Sequence, residues 1–108
     1  MTDTHTPEFG LEIVMRAAQS HRRELLQTLE RLHETVDGEA RVTACEVLED
    51  SIVPNRFYWV ERWLSADDVR ASLESDRIAI LMAAIRLLGS VEAVRRTRLM
   101  DPPGVTPT

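Results

Sequence analysis

One carboxylate in this chain sits among aromatic rings. Glu61 follows Trp59 by two residues and precedes Trp63 by two, in the run Arg-Phe-Tyr-Trp-Val-Glu-Arg-Trp over 56–63. Residues two apart in an extended chain share a face, so Phe57, Trp59, Glu61 and Trp63 form one row. A carboxylate buried in such a row needs a cation or a proton, because an unpaired buried charge is costly. It is either half of an ion pair, with Arg95 or Arg98 on a neighbouring strand or Arg86 on a helix, or a general base. Arg62 points to the opposite face and cannot be the partner. The rings have two readings of their own: plain core, or the floor of a chamber that with Met82 opposite suits a flat polycyclic ligand.

The remaining chemistry-bearing residues are scattered. His21 and His33 lie 12 residues apart on one predicted helix, ~18 Å apart in rise and ~120° apart in direction, so they cannot share a metal within one subunit. His21, one position inside the helix start, reads as a solvated group able to approach a pocket mouth, and His5 falls in a tail. With a single cysteine, Cys45, and no clustered carboxylates, no metal site is expected. Gly10, Gly38, Gly89 and Gly104 are too far apart to cradle a phosphate, so flavin and nicotinamide cofactors are not expected either.

The elements that must position these residues follow from periodicity. Leu11, Ile13 and Met15 alternate with Glu12, Val14 and Arg16 as a first strand. After Ser20, a candidate N-cap, Leu25, Leu26, Leu29, Leu32 and Val36 form one stripe of an amphipathic helix, which Asp37-Gly38 stops. Residues 42–49 and 56–63 are strands of a hairpin joined through Pro54-Asn55. Ser65 with Asp68 opens a short helix through Leu73, and Ser75 caps a second helix with Ile78, Leu81, Met82, Ile85 and Leu88 on one face, ended by Gly89. Ile80, Ala83, Ala84 and Leu87 make that helix apolar nearly all round, which predicts cover on two sides. Residues 91–99 suit either another helix or an edge strand.

The order strand, helix, strand, strand, helix pair, strand is the split β-α-β arrangement of an α+β, ferredoxin-like fold, and it favours the strand reading of 91–99. Helices on one face of a four-stranded antiparallel sheet leave the other face bare, with Tyr58 and Val60 and also Cys45 and Val47 as candidates for it. Two such faces packed together predict a homodimer. Residues 1–9 and 101–108, rich in Thr and Pro, read as flexible tails around one domain at 10–100.

Composition narrows the classes. The 108 residues are 44% hydrophobic and carry a net charge of −5, with 18 acidic residues against 13 basic ones. That balance offers no attraction for nucleic acid or anionic lipid. The longest apolar stretch, eight residues from Ile78 to Ile85, falls far short of the ~20 that span a membrane. A polar, acidic start and one cysteine predict a cytoplasmic protein.

The segment Pro54-Asn55-Arg56-Phe57 leading to Glu61-Arg62-Trp63, followed by Ser65-Ala66-Asp67-Asp68-Val69-Arg70-Ala71-Ser72-Leu73-Glu74-Ser75, resembles the antibiotic biosynthesis monooxygenase superfamily of dimeric α+β barrels. The shared pattern is a Pro-Asn-x-Phe turn, a strand ending Glu-x-Trp and a short helix running into a longer one. The family includes cofactor-free oxygenases of quinols and anthrones, heme-degrading enzymes and isomerases. The resemblance implies a pocket between sheet and helices in each subunit. Many relatives carry His where this chain has Ser72, and a second frequent His corresponds to Arg77. The heme-degrading branch would place Trp at Ser72 and His at Met82, so heme degradation is not expected.

What the resemblance then implies is a cofactor-independent monooxygenase of a hydroxylated aromatic. Phe57, Trp59 and Trp63 would shape the floor, Ile78 and Met82 the roof. Arg86 would steady an oxyanion, and Glu61 would accept a proton or orient Arg86. Two rivals stand beside it: an isomerase or cyclase using Glu61 or His21, and a ligand-binding dimer without catalysis.

Overall fold

Strand β1 (Phe9–Ala17) buries Leu11, Ile13 and Met15 completely. It starts at Phe9, inside the expected tail, because Phe9 pairs with both Trp63 and Arg98 and packs on the core. The chain is described from a computed structural model covering residues 8–36 and 39–100. The tails at 1–7 and 101–108 and the Asp37-Gly38 stop lie outside the described residues.

A 3₁₀ turn at Gln19–His21 precedes helix α1 (Arg22–Val36), so Ser20 lies within that turn and is not an N-cap. Leu25, Leu29, Leu32 and Val36 form the buried stripe of α1. Strands β2 (Val42–Glu49) and β3 (Arg56–Trp63) form the expected hairpin. Its connection is held by Asp50, whose side chain accepts from the backbone N–H groups of Ile52 and Val53 at 2.8 Å each. Asn55 takes a left-handed φ of 63°, a conformation that asparagine tolerates.

Helix α2 (Ala66–Leu73) is capped by Ser65, whose Oγ accepts from the Asp68 N–H at 3.1 Å. Helix α3 (Asp76–Leu88) is capped by Ser75, accepting from Ile78 at 3.3 Å. The last segment is strand, β4 (Gly89–Arg98), which decides the ambiguity over 91–99. At its start Gly89 is required by proximity: a Cβ there would lie 2.0 Å from the Arg16 carbonyl oxygen on β1.

The four strands form one antiparallel sheet in the order β2-β3-β1-β4, an α+β, ferredoxin-like arrangement. Its core joins the inward residues of β1 and β3 to Leu25, Leu29, Leu81, Ile85 and their neighbours on the helices. Two expectations are corrected. Cys45 and Val47 oppose Glu61 and Trp59 and therefore face the helices, leaving Ala44, Glu46 and Leu48 to share the other face with Arg62, Val60 and Tyr58. The outer side of α3 is uncovered, with Ile80 54% and Leu87 78% exposed, because α1 and the sheet meet only its opposite side.

Candidate functional site

β3 alternates strictly between inward and outward residues, which places Phe57, Trp59, Glu61 and Trp63 together on the helix side. Glu61 is wholly buried. Its Oε2 accepts from the Trp59 indole at 2.7 Å, and its Oε1 accepts from the Trp63 indole at 2.8 Å and from Ser72 Oγ at 2.5 Å. Both tryptophan donors come from the same strand face, and α2 supplies the serine.

The cation beside Glu61 is Arg77, with Nε 3.8 Å from Oε2. None of the three arginines expected from the sequence takes this place. Arg86 is exposed, nine residues along α3 from Arg77 and therefore ~13 Å further up its axis. Arg95 pairs with Glu12 at 2.9 Å on the bare face, and Arg98 is exposed. Arg77 stands in the first turn of α3, just above Ser72, where a frequent family histidine was expected to be replaced. Its Nη1 also donates to Glu39 at 2.7 Å, while its buried Nε has no hydrogen-bond partner.

The chamber expected among five apolar residues is largely filled by them. Phe57, Trp59 and Ile78 are sealed in the core, and Met82 packs against it. Of the five, Trp63 lines a groove of about 320 Å³, together with Ser72, Arg77, Glu39, Arg41 and Asp68. That groove is bounded by ion pairs. Arg41 donates to both Asp68 oxygens at 2.8 and 2.9 Å, which holds the Asp68 carboxyl below the usual range, helped by Ser65.

A larger cavity, about 590 Å³, opens between α1 and β2 and is lined by Leu26, Leu29, Glu30, His33 and Val47. The four helix residues recur at the spacing of one α-helical face. His33 Nε2 lies 2.8 Å from the Cys45 carbonyl oxygen, and the His33 ring meets Trp59 edge to face at 6.4 Å between centroids. The sequence spacing assigns His33 no role beyond excluding a metal shared with His21. The signal that could have found it was its place beside Leu26 and Leu29 on the stripe that faces the sheet. His21, by contrast, is half-exposed, and its ring nitrogen lies 3.4 Å from Glu24.

Among the described residues no group of three or more His, Cys, Asp or Glu is placed to hold a metal ion. No helix among them is long and apolar enough to cross a membrane.

No family model matches the sequence, and no curated protein matches it. Solved structures do. A candidate antibiotic biosynthesis monooxygenase from Chloroflexus aurantiacus superposes with a TM-score of 0.65 at 22% identity, over 92% of this chain and 99% of the other. The fold is that of the antibiotic biosynthesis monooxygenases. A second candidate antibiotic biosynthesis monooxygenase, from Deinococcus radiodurans, gives 0.69 at 18% identity over 94% and 98% of the two chains. A Bacteroides thetaiotaomicron protein of unknown function, described as a possible oxidoreductase, gives 0.74 at 17% over 88% and 100%. At these identities the antibiotic biosynthesis monooxygenase likeness carries the architecture, and the chemistry rests on this chain's own residues.

Proposed function

We propose that the chain is a cofactor-independent oxygenase of a hydroxylated aromatic, a quinol or anthrone, working as a cytoplasmic homodimer. The observation that carries this reading is the cavity between α1 and β2, whose volume of about 590 Å³ and largely apolar lining suit a planar ring system. An electron-rich phenolate passes an electron to O₂ by itself, so the protein has to bind the ring, favour the anion and exclude water. For an anthrone, the ring methylene becomes a carbonyl. One oxygen atom enters the product and the other leaves as water with the two hydrogens, so no outside reductant is required.

In this reading Glu61 is a positioning residue. Its three hydrogen bonds fix Trp59 and Trp63, and Trp59 in turn backs the ring of His33. Arg77 stands beside Glu61, where Arg86, Arg95 or Arg98 was expected. The dimer would bury the helix-free face, where Val14, Val60, Leu48 and Ala93 lie between ion pairs. Light scattering on dilute protein is expected to give twice the chain mass.

Oxygen uptake measured against a panel of quinols and anthrones tests the activity. Uptake matching substrate loss, abolished by Leu26→Trp, which fills the cavity, is the expected result. Product formed without oxygen would move the chain to isomerase chemistry. The packing of Phe57, Trp59 and Ile78 into the expected chamber favours one second reading, a ligand-binding protein without turnover. Saturable binding of the same panel with no uptake at any substrate would establish that reading and end the first.

A further inference from the structure

Resting on the reading just given, we propose that His33 is the base of the α1–β2 cavity, taking the proton of a phenolic hydroxyl onto Nδ1. Two observations carry this. His33 Nε2 is 2.8 Å from a backbone carbonyl, that of Cys45. A carbonyl oxygen only accepts, so Nε2 must carry the ring proton, and in the neutral imidazole Nδ1 is then the bare lone pair. Nδ1 has no hydrogen-bond partner among the described residues, whereas Nε2 is committed. The imidazole is thus held in one tautomer by a neighbour that does not titrate, with its basic nitrogen left for a ligand.

The surroundings suit that role. Apart from His33, the titratable side chain lining the cavity is Glu30, on the exposed side of α1, and the other lining residues are Leu26, Leu29 and Val47. Trp59 meets the imidazole edge to face and restricts its rotation. Trp59 is itself fixed by Glu61, so the base is positioned through two contacts that begin at the buried carboxylate. The rival bases are less suited: both oxygens of Glu61 already accept from protein donors, and His21 lies outside this cavity.

The step is a simple transfer. The phenol O–H bond breaks, the proton goes to Nδ1, and the products are a phenolate and an imidazolium that keeps its Nε2–H on the Cys45 carbonyl. β2 is an edge strand, and this anchor uses one of its carbonyl oxygens.

A nitrophenol whose anion absorbs in the visible is the probe, titrated into the protein at a pH where the free compound is mostly protonated. The proposal expects the anion band to grow on binding, to fall by on the order of tenfold or more in His33→Gln, in keeping with the scale of acid–base effects, and to persist in His21→Gln. Nitrogen NMR of the wild-type protein with labelled histidine needs no variant to fold. It is expected to show the Nε2–H tautomer for His33 and a large shift of Nδ1 on saturation with the nitrophenol. An Nδ1–H tautomer, an anion band unchanged in folded His33→Gln, or no binding of the nitrophenol would each overturn the assignment. Oxygen uptake is independent of this readout: a histidine-dependent anion band without uptake by any quinol or anthrone would retain the base and remove the oxygenase.

Discussion

The Trp59 indole donates to Glu61 at 2.7 Å although both side chains rise from the same face of one strand, two residues apart. The carboxylate is therefore the hub of the tryptophan row, and the Trp63 indole and Ser72 hydroxyl complete its shell.

Glu61→Gln should destabilise strongly. An amide keeps the volume but turns one acceptor into a donor that faces an indole N–H or the Ser72 hydroxyl, and it leaves Arg77 without its nearby charge. Breaking a buried charged pair costs ~3 kcal/mol, a drop in Tm of roughly 15 °C for a chain of this size. Thermal unfolding followed by circular dichroism measures it, and a shift of less than ~4 °C, or about 1 kcal/mol, would remove Glu61 from this role.

Arg77→Ala and Arg86→Ala should separate cleanly. The first leaves Glu61 and Glu39 without their common cation and should lower stability by ~2 kcal/mol. The second removes an exposed side chain and should fall within ~0.5 kcal/mol of the parent. Urea unfolding of the two variants side by side gives the comparison, and equal midpoints would contradict the assigned pairing.

Two glycines should respond differently to alanine. At Gly89 the new Cβ meets the Arg16 carbonyl at 2.0 Å and the Ala17 Cα at 2.9 Å, both backbone atoms that cannot step aside. Gly89→Ala should cost ~3 kcal/mol or more and open the β1–β4 ladder, visible as faster amide exchange along β4. At Gly10 the nearest atom is the Thr97 hydroxyl at 2.3 Å. That group can rotate, so Gly10→Ala should be the milder change in the same exchange experiment.

Acid should weaken the hairpin connection. Asp50 accepts from the Tyr58 hydroxyl and from the backbone of Val53 and Ile52, which brings its carboxyl from 3.8 down to about 2. A carboxyl held lower in the folded than in the unfolded chain stabilises fully above its unfolded value, and that contribution is lost as pH falls from about 4 to about 2. Glu92 beside Arg56 and Asp68 beside Arg41 are lowered too and act with the same sign. Urea midpoints between pH 5 and pH 2 should therefore fall with acidity, and Tyr58→Phe, which removes the largest cause, should flatten the slope.

The fold was legible because each element has its own period or cap. Leu11, Ile13 and Met15 mark β1, and Ser65 and Ser75 open two helices with the bonds expected of them. The oddity of Glu61 was legible too, since strand alternation alone puts it between the tryptophans. Its partner was not. Arg77 approaches only because tertiary packing brings the first turn of α3 beside the carboxylate, a fact that no spacing encodes. Cys45 and Val47 were placed on the wrong face because the register of β2 depends on a connection of irregular shape, held by Asp50 and a left-handed Asn55, and on a register shift between Val42 and Ala44. The setting of His33 is not legible for a related reason: no spacing along α1 tells which strand carbonyl its ring will meet.

The charged rim of β4 sets a limit on how copies of this chain can meet. Arg95, Arg96 and Arg98 stand exposed along the open margin of the sheet. Two molecules approaching margin to margin would set guanidinium against guanidinium, so an endless ribbon built by adding strands is disfavoured from that side. Crowded solutions of the folded protein should consequently resist fibre formation at neutral pH, and charge reversal along that margin is the alteration that would remove the protection.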